Sequence, residues 1–189
     1  MKGMFVLVLC AVLCALSVSG CGSTSGIQSE TLSDGFVKST DEVSGSVSYV
    51  HEDLELNAMF YNLHDSITGE RENFRVKILN GFIVANCDYR DNDWLFMKSF
   101  VLWADSSRLQ KPVKRSGSVN STSGFVFCQE RGSCVLSDDE VELLEQICKS
   151  NDVKICFIGD NSRTDVFVVK PRVKKAVVET VAKWREISK

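Results

Sequence analysis

From residue 46 onward apolar side chains come in short alternating runs broken by turn chemistry, the spacing of strands rather than helices. Across 46–51, Val47 and Tyr49 alternate with Ser46 and Ser48. Runs at 56–63, 73–79 and 82–87 follow, with Ser66-Ile67-Thr68-Gly69 and Asn80-Gly81 as turns. Asn-Gly between two apolar runs is a strong hairpin signal. Residues 94–104, WLFMKSFVLWA, are apolar on both faces apart from Lys98 and Ser99, which predicts one central strand covered on both sides, or partly covered by the tether or a loop. Asp105-Ser106-Ser107 turns the chain, and 125–128 reads as a further strand.

The period then changes to that of helices. Leu136-Ser137-Asp138-Asp139-Glu140-Val141 contains a capping box, with Ser137 as cap and Glu140 reaching back to its amide. Val141, Leu144 and Cys148 form an inward stripe, with Leu143 and Ile147 beside it. A second helix starts at Pro171, which suits the first helical position, and repeats Val173, Val177, Val181 and Trp184 at helical spacing. Between the helices, 153–158 and 165–169 predict a hairpin over Gly159-Asp160-Asn161-Ser162. The expected fold class is therefore α+β: an antiparallel sheet meander with two helices packed on one face, ending helix–hairpin–helix.

The chain before residue 46 follows a different pattern. Lys2 is the only charge in an opening segment that is almost unbroken apolar from Met4 to Ser17. A run of that length suits an export signal and falls short of the roughly 20 residues a membrane span needs. It ends in Val18-Ser19-Gly20-Cys21, which resembles the lipobox of bacterial lipoproteins. That resemblance covers only the first 21 residues. It implies cleavage between Gly20 and Cys21, a diacylglyceryl thioether on the Cys21 sulfur, and usually acylation of the new amino terminus. Several acyl chains on one residue exceed the two signals that stable anchoring requires. Residues 22–45 are rich in Ser, Thr, Gly and acidic side chains, which predicts a flexible tether, with a first strand around Phe36-Val37-Lys38 as the alternative. The expected organisation is a signal at 1–20, a lipidated cysteine and tether at 21–45, and one domain at 46–189. The helix–hairpin–helix ending also resembles small bacterial envelope lipoproteins, in pattern alone.

Composition narrows the partners. The formal charge is −3, or −4 once Lys2 leaves with the signal, which opposes the basic face of a nucleic-acid binder. Eight cysteines become five after Cys10 and Cys14 are cleaved away and Cys21 is lipidated. An odd number leaves at least one thiol unpaired within the chain. Cys128 and Cys134 bound Gln-Glu-Arg-Gly-Ser, and as the two arms of a hairpin they would face each other at about 4.5 Å, within disulfide range. Such a bridge would contribute about 2 kcal/mol. Cys87, Cys148 and Cys156 read as core thiols.

Signs of chemistry are sparse. The chain carries no nucleophile elbow, phosphate loop, dinucleotide fingerprint or His-Glu-x-x-His motif. Neither a Cys-x-x-Cys nor a Cys/His cluster points to a metal, and His51 and His64 have no ligand partners in sequence. Asp138, Asp139, Glu140, Glu142 and Glu145 match the start and solvated face of a helix. Asp88, Asp91, Asn92 and Asp93 lack the glycine and distal glutamate of a calcium loop. Asn120-Ser-Thr is a glycosylation sequon, discounted beside a bacterial lipobox. Seven basic residues between Lys170 and Lys189 fall opposite the apolar stripe of the second helix. No catalytic, cofactor-binding or metal residue is assigned and no cofactor is expected. The expected protein is lipid-anchored on the extracytoplasmic side of a bacterial membrane, with Gly22 compatible with outer-membrane sorting. Its domain is expected to be a non-enzymatic interaction or structural module with an envelope protein partner and no nucleic acid. The alternatives are an envelope enzyme with dispersed acid/base residues and a lipoprotein that binds an apolar ligand.

Overall fold

The computed structural model describes residues 26–54, 72–122 and 125–188. About half of the described residues lie in strands, which form two antiparallel sheets accompanied by two helices. This corrects the α+β expectation of one sheet under a helix pair: the protein is mostly antiparallel β. The first sheet contains β1 (Ile27–Thr31), β2 (Phe36–Asp41), β3 (Val47–His51), β4 (Glu72–Leu79), β5 (Phe82–Asp91), β8 (Lys114–Thr122) and β9 (Phe125–Val135). Its order is β1-β2-β3-β4-β5-β9-β8. The second sheet contains β6 (Ser99–Ala104), β7 (Ser107–Pro112), β10 (Lys154–Ile158) and β11 (Phe167–Val168), in the order β11-β10-β6-β7.

The apolar run at 94–104 is where expectation and structure part. Only Ser99–Ala104 is a strand; 94–98 is irregular and carries the chain out of the first sheet into the second. Leu95 and Met97 are apolar because they cover the sheet, not because they belong to one. A single meander is thereby divided into two sheets that share one core. Phe74 of β4 and Phe100 of β6 meet across it with ring centroids 5.4 Å apart.

A second correction concerns the tether. Residues 27–41 form the β1–β2 hairpin, and β2 pairs with β3 along its length, so ordered sheet is already present at Ile27, well before Ser46. All five residues of β1 are exposed, so hydrophobic pattern could not reveal it. The backbone ladder holds it, aided by Ser29 and Ser39 hydroxyls 2.8 Å apart and by Lys38 donating to Glu30 at 3.0 Å. Phe36 alone anchors the hairpin in the interior, edge-on to the His51 ring at 5.1 Å.

Other local expectations match the observed elements. Asn80 and Gly81 adopt φ of 50° and 83°, the backbone of a two-residue hairpin turn, between β4 and β5. Helix α1 (Asp138–Cys148) has the Ser137/Glu140 capping box, and α2 (Pro171–Ile187) begins at the proline. The helices do not share one sheet face. Helix α1 packs on β7 and β6 of the second sheet, whereas α2 packs on β4 and β3 of the first and on the 3-10 turn Glu52–Leu54. They meet each other through Arg185, which donates to Glu145 at 2.8 Å. The Trp184 indole N–H donates to the Gly81 carbonyl at 2.8 Å, pinning the end of α2 to the β4–β5 turn.

Candidate interaction surface at the β8–β9 end

Strand alternation places Cys128, Glu130, Gly132 and Cys134 on one face of β9, opposite Asp91, Tyr89, Cys87 and Ala85 of β5. That face looks into the core, so Glu130 is a carboxylate with no solvent exposure. Bare burial of such a charge costs several kcal/mol. Here the crossing segment 92–98 satisfies it. The Phe96 N–H donates to Oε1 at 2.8 Å, the Met97 N–H donates to Oε2 at 2.7 Å, and Arg115 Nη1 of β8 lies 3.6 Å away. Lys98 continues the attachment, donating its N–H to Ile158 and accepting from Val113, each at 2.8 Å.

Two glycines let this segment approach the sheets. A Cβ on Gly117 of β8 would lie 2.6 Å from the Trp94 ring, and one on Gly159 would lie 1.8 Å from the Leu95 carbonyl oxygen. Phe96 has φ of 54°, a left-handed conformation that is costly for a bulky side chain. Glu130 holds the backbone there, and the ring consequently stands out with 46% of its surface exposed. Trp94 lies beside it, centroids 6.1 Å apart and planes inclined by 30°. The Arg115 guanidinium stands 5.1 Å from the Phe96 ring centre and 6.0 Å from that of Trp94, in range for cation–π attraction. Trp94, Phe96, Arg115, Ser116 and Gly117 line a pocket of about 230 Å3. That is smaller than the roughly 300–1,000 Å3 of small-molecule sites, and suits a single side chain.

The cysteine expectation is corrected by the same strand. Cys128 and Cys134 are not on two arms of a hairpin: β9 runs unbroken from Phe125 to Val135. Six residues of extended chain separate them by about 20 Å, far beyond the reach of a disulfide. All five described cysteines are free thiols. Burial pushes Cys134 up to about 11 and Cys148 up to about 12, and drives Cys87 well above the usual thiol range. None therefore has the lowered pKa of a reactive nucleophile. Cys87, Cys148 and Cys156 are buried, Cys87 and Cys148 within the shared core and Cys156 opposite Val101 on the other face of the second sheet.

Cys21, Gly20 and His64 lie outside the described residues. His51 is buried; its Nδ1 accepts from the Asp53 N–H at 3.1 Å and its Nε2 lies 2.9 Å from Glu179 Oε2. Asp88 lies buried on the outer face of the first sheet, between Arg75 and Arg131. The helical acids are used in ties: Glu140 with Lys111 at 2.8 Å, and Glu145 with Arg185 and Lys149. Lys174, Lys175, Lys183 and Arg185 of α2 are similarly engaged. Lys174 donates to the Ser150 and Asn151 carbonyls just past the end of α1, and Lys183 lies 3.0 Å from Asp34. Among the described residues no group of three or more His, Cys, Asp or Glu side chains is placed to hold a metal, and no helix is long and apolar enough to cross a membrane.

Sequence pattern had indicated none of the Trp94, Phe96, Arg115 and Glu130 cluster as a site. Its one available signal was the apolar residues of 94–97, which read equally well as a strand. No family model matches the chain, and neither does any curated protein or solved structure.

Proposed function

We propose that this is a lipid-anchored bacterial envelope protein, held through acyl chains on Cys21, whose folded part binds a protein partner instead of catalysing a reaction. The observation that carries the binding role is the Trp94–Phe96–Arg115 surface: two aromatic rings and a guanidinium held outward by a fully buried carboxylate. Aromatic and arginine side chains dominate binding hot spots, and a conformation fixed in advance reduces the entropy lost on association. The pocket's size favours one protruding side chain over a complete apolar ligand.

The anchor rests on Val18-Ser19-Gly20-Cys21. With β1 starting at Ile27, the five residues 22–26 connect the anchor to the sheet, a reach of at most about 20 Å. The domain would thus sit close to the membrane surface rather than at the end of a long tether. Two experiments test the reading. A palmitate analogue fed to cells should label the wild type and spare Cys21→Ala; equal labelling of both removes the anchor. A photo-crosslinking residue at Phe96 should give one discrete adduct in intact cells where the same residue at Val166, another exposed position, gives none. Identical patterns at the two sites remove the binding role.

A further inference from the structure

The surface continues into a sheet edge. Among the described residues β8 is the last strand of the first sheet, with β9 on one side and no strand on the other. The ladder determines which of its backbone groups face outward. Leu136 N–H donates to Ile83 O at 3.0 Å, so hydrogen-bonded pairing between β5 and β9 falls on Cys134, Gly132 and Glu130. By alternation, β9 bonds to β8 through Ser133, Arg131 and Gln129, whose partners are Lys114, Ser116 and Ser118. The N–H and C=O groups of Arg115, Gly117 and Val119 therefore point away from the sheet. These are also the residues whose side-chain positions share the Trp94 face.

We infer that β8 takes up an extended acidic segment of a partner protein as an added strand, one of whose side chains enters the pocket between Trp94, Phe96 and Arg115. The inference rests on the proposed role of the domain as an interaction module and names the chemistry of its partner. An added strand lies about 4.8 Å from β8, and its alternate side chains fall on the face of Arg115 and Gly117. Charge selects the occupant. Lys114–Thr122 contains Lys114 and Arg115 and no carboxylate. On the opposite face Arg131, paired with Ser116, shares the single carboxylate of Asp88 with Arg75, which leaves a surplus cation. Arg115 already faces Glu130 at 3.6 Å and Asp91 lies at the Val119 end of the edge, across β9, so the partner's acidic residue is placed on the outer face, against Lys114 and Arg131. Pairing of β8 with the β8 of a second copy is a poor alternative, because it would bring no carboxylate to Lys114 or Arg131.

The test uses the full-length chain in detergent and a phage-displayed library of random twelve-residue peptides. Selection should enrich sequences with Asp or Glu among β-branched and aromatic residues. A synthetic peptide of the enriched sequence should slow amide hydrogen exchange at Arg115, Gly117 and Val119. Val119→Pro removes one outward N–H without touching a β8–β9 bond, and should weaken that peptide at least fivefold, the loss of one hydrogen bond. Lys114→Glu, at an exposed position, should weaken it at least as much and covers the case in which the proline variant does not fold. Four results would each overturn the inference: no enrichment, enrichment of neutral or basic sequences, unchanged affinity in Lys114→Glu, or a self-dimer that Val119→Pro dissociates. A discrete Phe96 adduct in cells together with no selected peptide would leave the interaction role standing and remove the acidic strand. Loss of both would remove the two together.

Discussion

Replacing Glu130 by glutamine isolates the charge that organises the crossing segment. The amide is nearly the same size, so packing is preserved, but only one of its two polar atoms accepts hydrogen bonds. The Phe96 and Met97 N–H groups both donate to Glu130, at 2.8 and 2.7 Å, in a site with no solvent exposure. In Glu130→Gln one N–H keeps a neutral acceptor and the other faces an NH2. Weakening a charge-assisted bond to a neutral one costs about 1 kcal/mol, and stranding a buried N–H costs about 1–3 kcal/mol more. Release of Phe96 from its left-handed conformation returns about 1 kcal/mol. The net loss is about 1–3 kcal/mol, which lowers the melting temperature of a chain this size by about 2–12 °C. Thermal unfolding followed by circular dichroism measures it, with Trp94 fluorescence reporting the local change. A melting temperature within about 1 °C of wild type would show that Glu130 does not hold the segment.

Three further outcomes follow from the geometry. Gly159→Ala brings a methyl group to 1.8 Å from the Leu95 carbonyl, so it should cost at least the 1–3 kcal/mol of an overpacked core; wild-type stability in urea would refute the close approach. Arg185, and after it Lys149, hold the Glu145 carboxyl below its usual range. A carboxylate with a depressed folded pKa contributes stability above its unfolded value of 4.5, lost as pH falls through the folded one. Glu145→Gln should accordingly cost about 1 kcal/mol at pH 7 and nothing at pH 2, and an equal loss at both would remove the interhelical ion pair. Finally, non-reducing peptide mapping should find Cys128 and Cys134 unlinked to each other, since an extended strand separates them; a Cys128–Cys134 fragment would require β9 to fold back as a hairpin.

Local signals were legible wherever a single element satisfied its own rules. Asn80-Gly81 needs two positive φ values and obtains them within the turn itself. Ser137 with Glu140, and Pro171 at the start of α2, cap their helices from within a few residues. Two of the misread stretches, 27–31 and 129–133, lacked such local closure. Residues 27–31 are exposed throughout, and their order comes from pairing with Phe36–Asp41 and, through it, with β3. Gln129, Glu130, Arg131, Gly132 and Ser133 look like a turn because they are polar and contain glycine, yet β5 and β8 pair with them on both sides.

The sequence by itself determined the helices, the Asn-Gly hairpin and most of the apolar positions that enter the core. Each depends on spacing within about ten residues. Tertiary structure alone decided that there are two sheets, that Cys128 and Cys134 lie apart, and that Trp94 and Phe96 stand at a surface. The physical reason is the burial of Glu130. Its carboxylate is satisfied only by amides 33 and 34 residues earlier in the chain, and in meeting them it directs the crossing segment and opens the aromatic face beside β8.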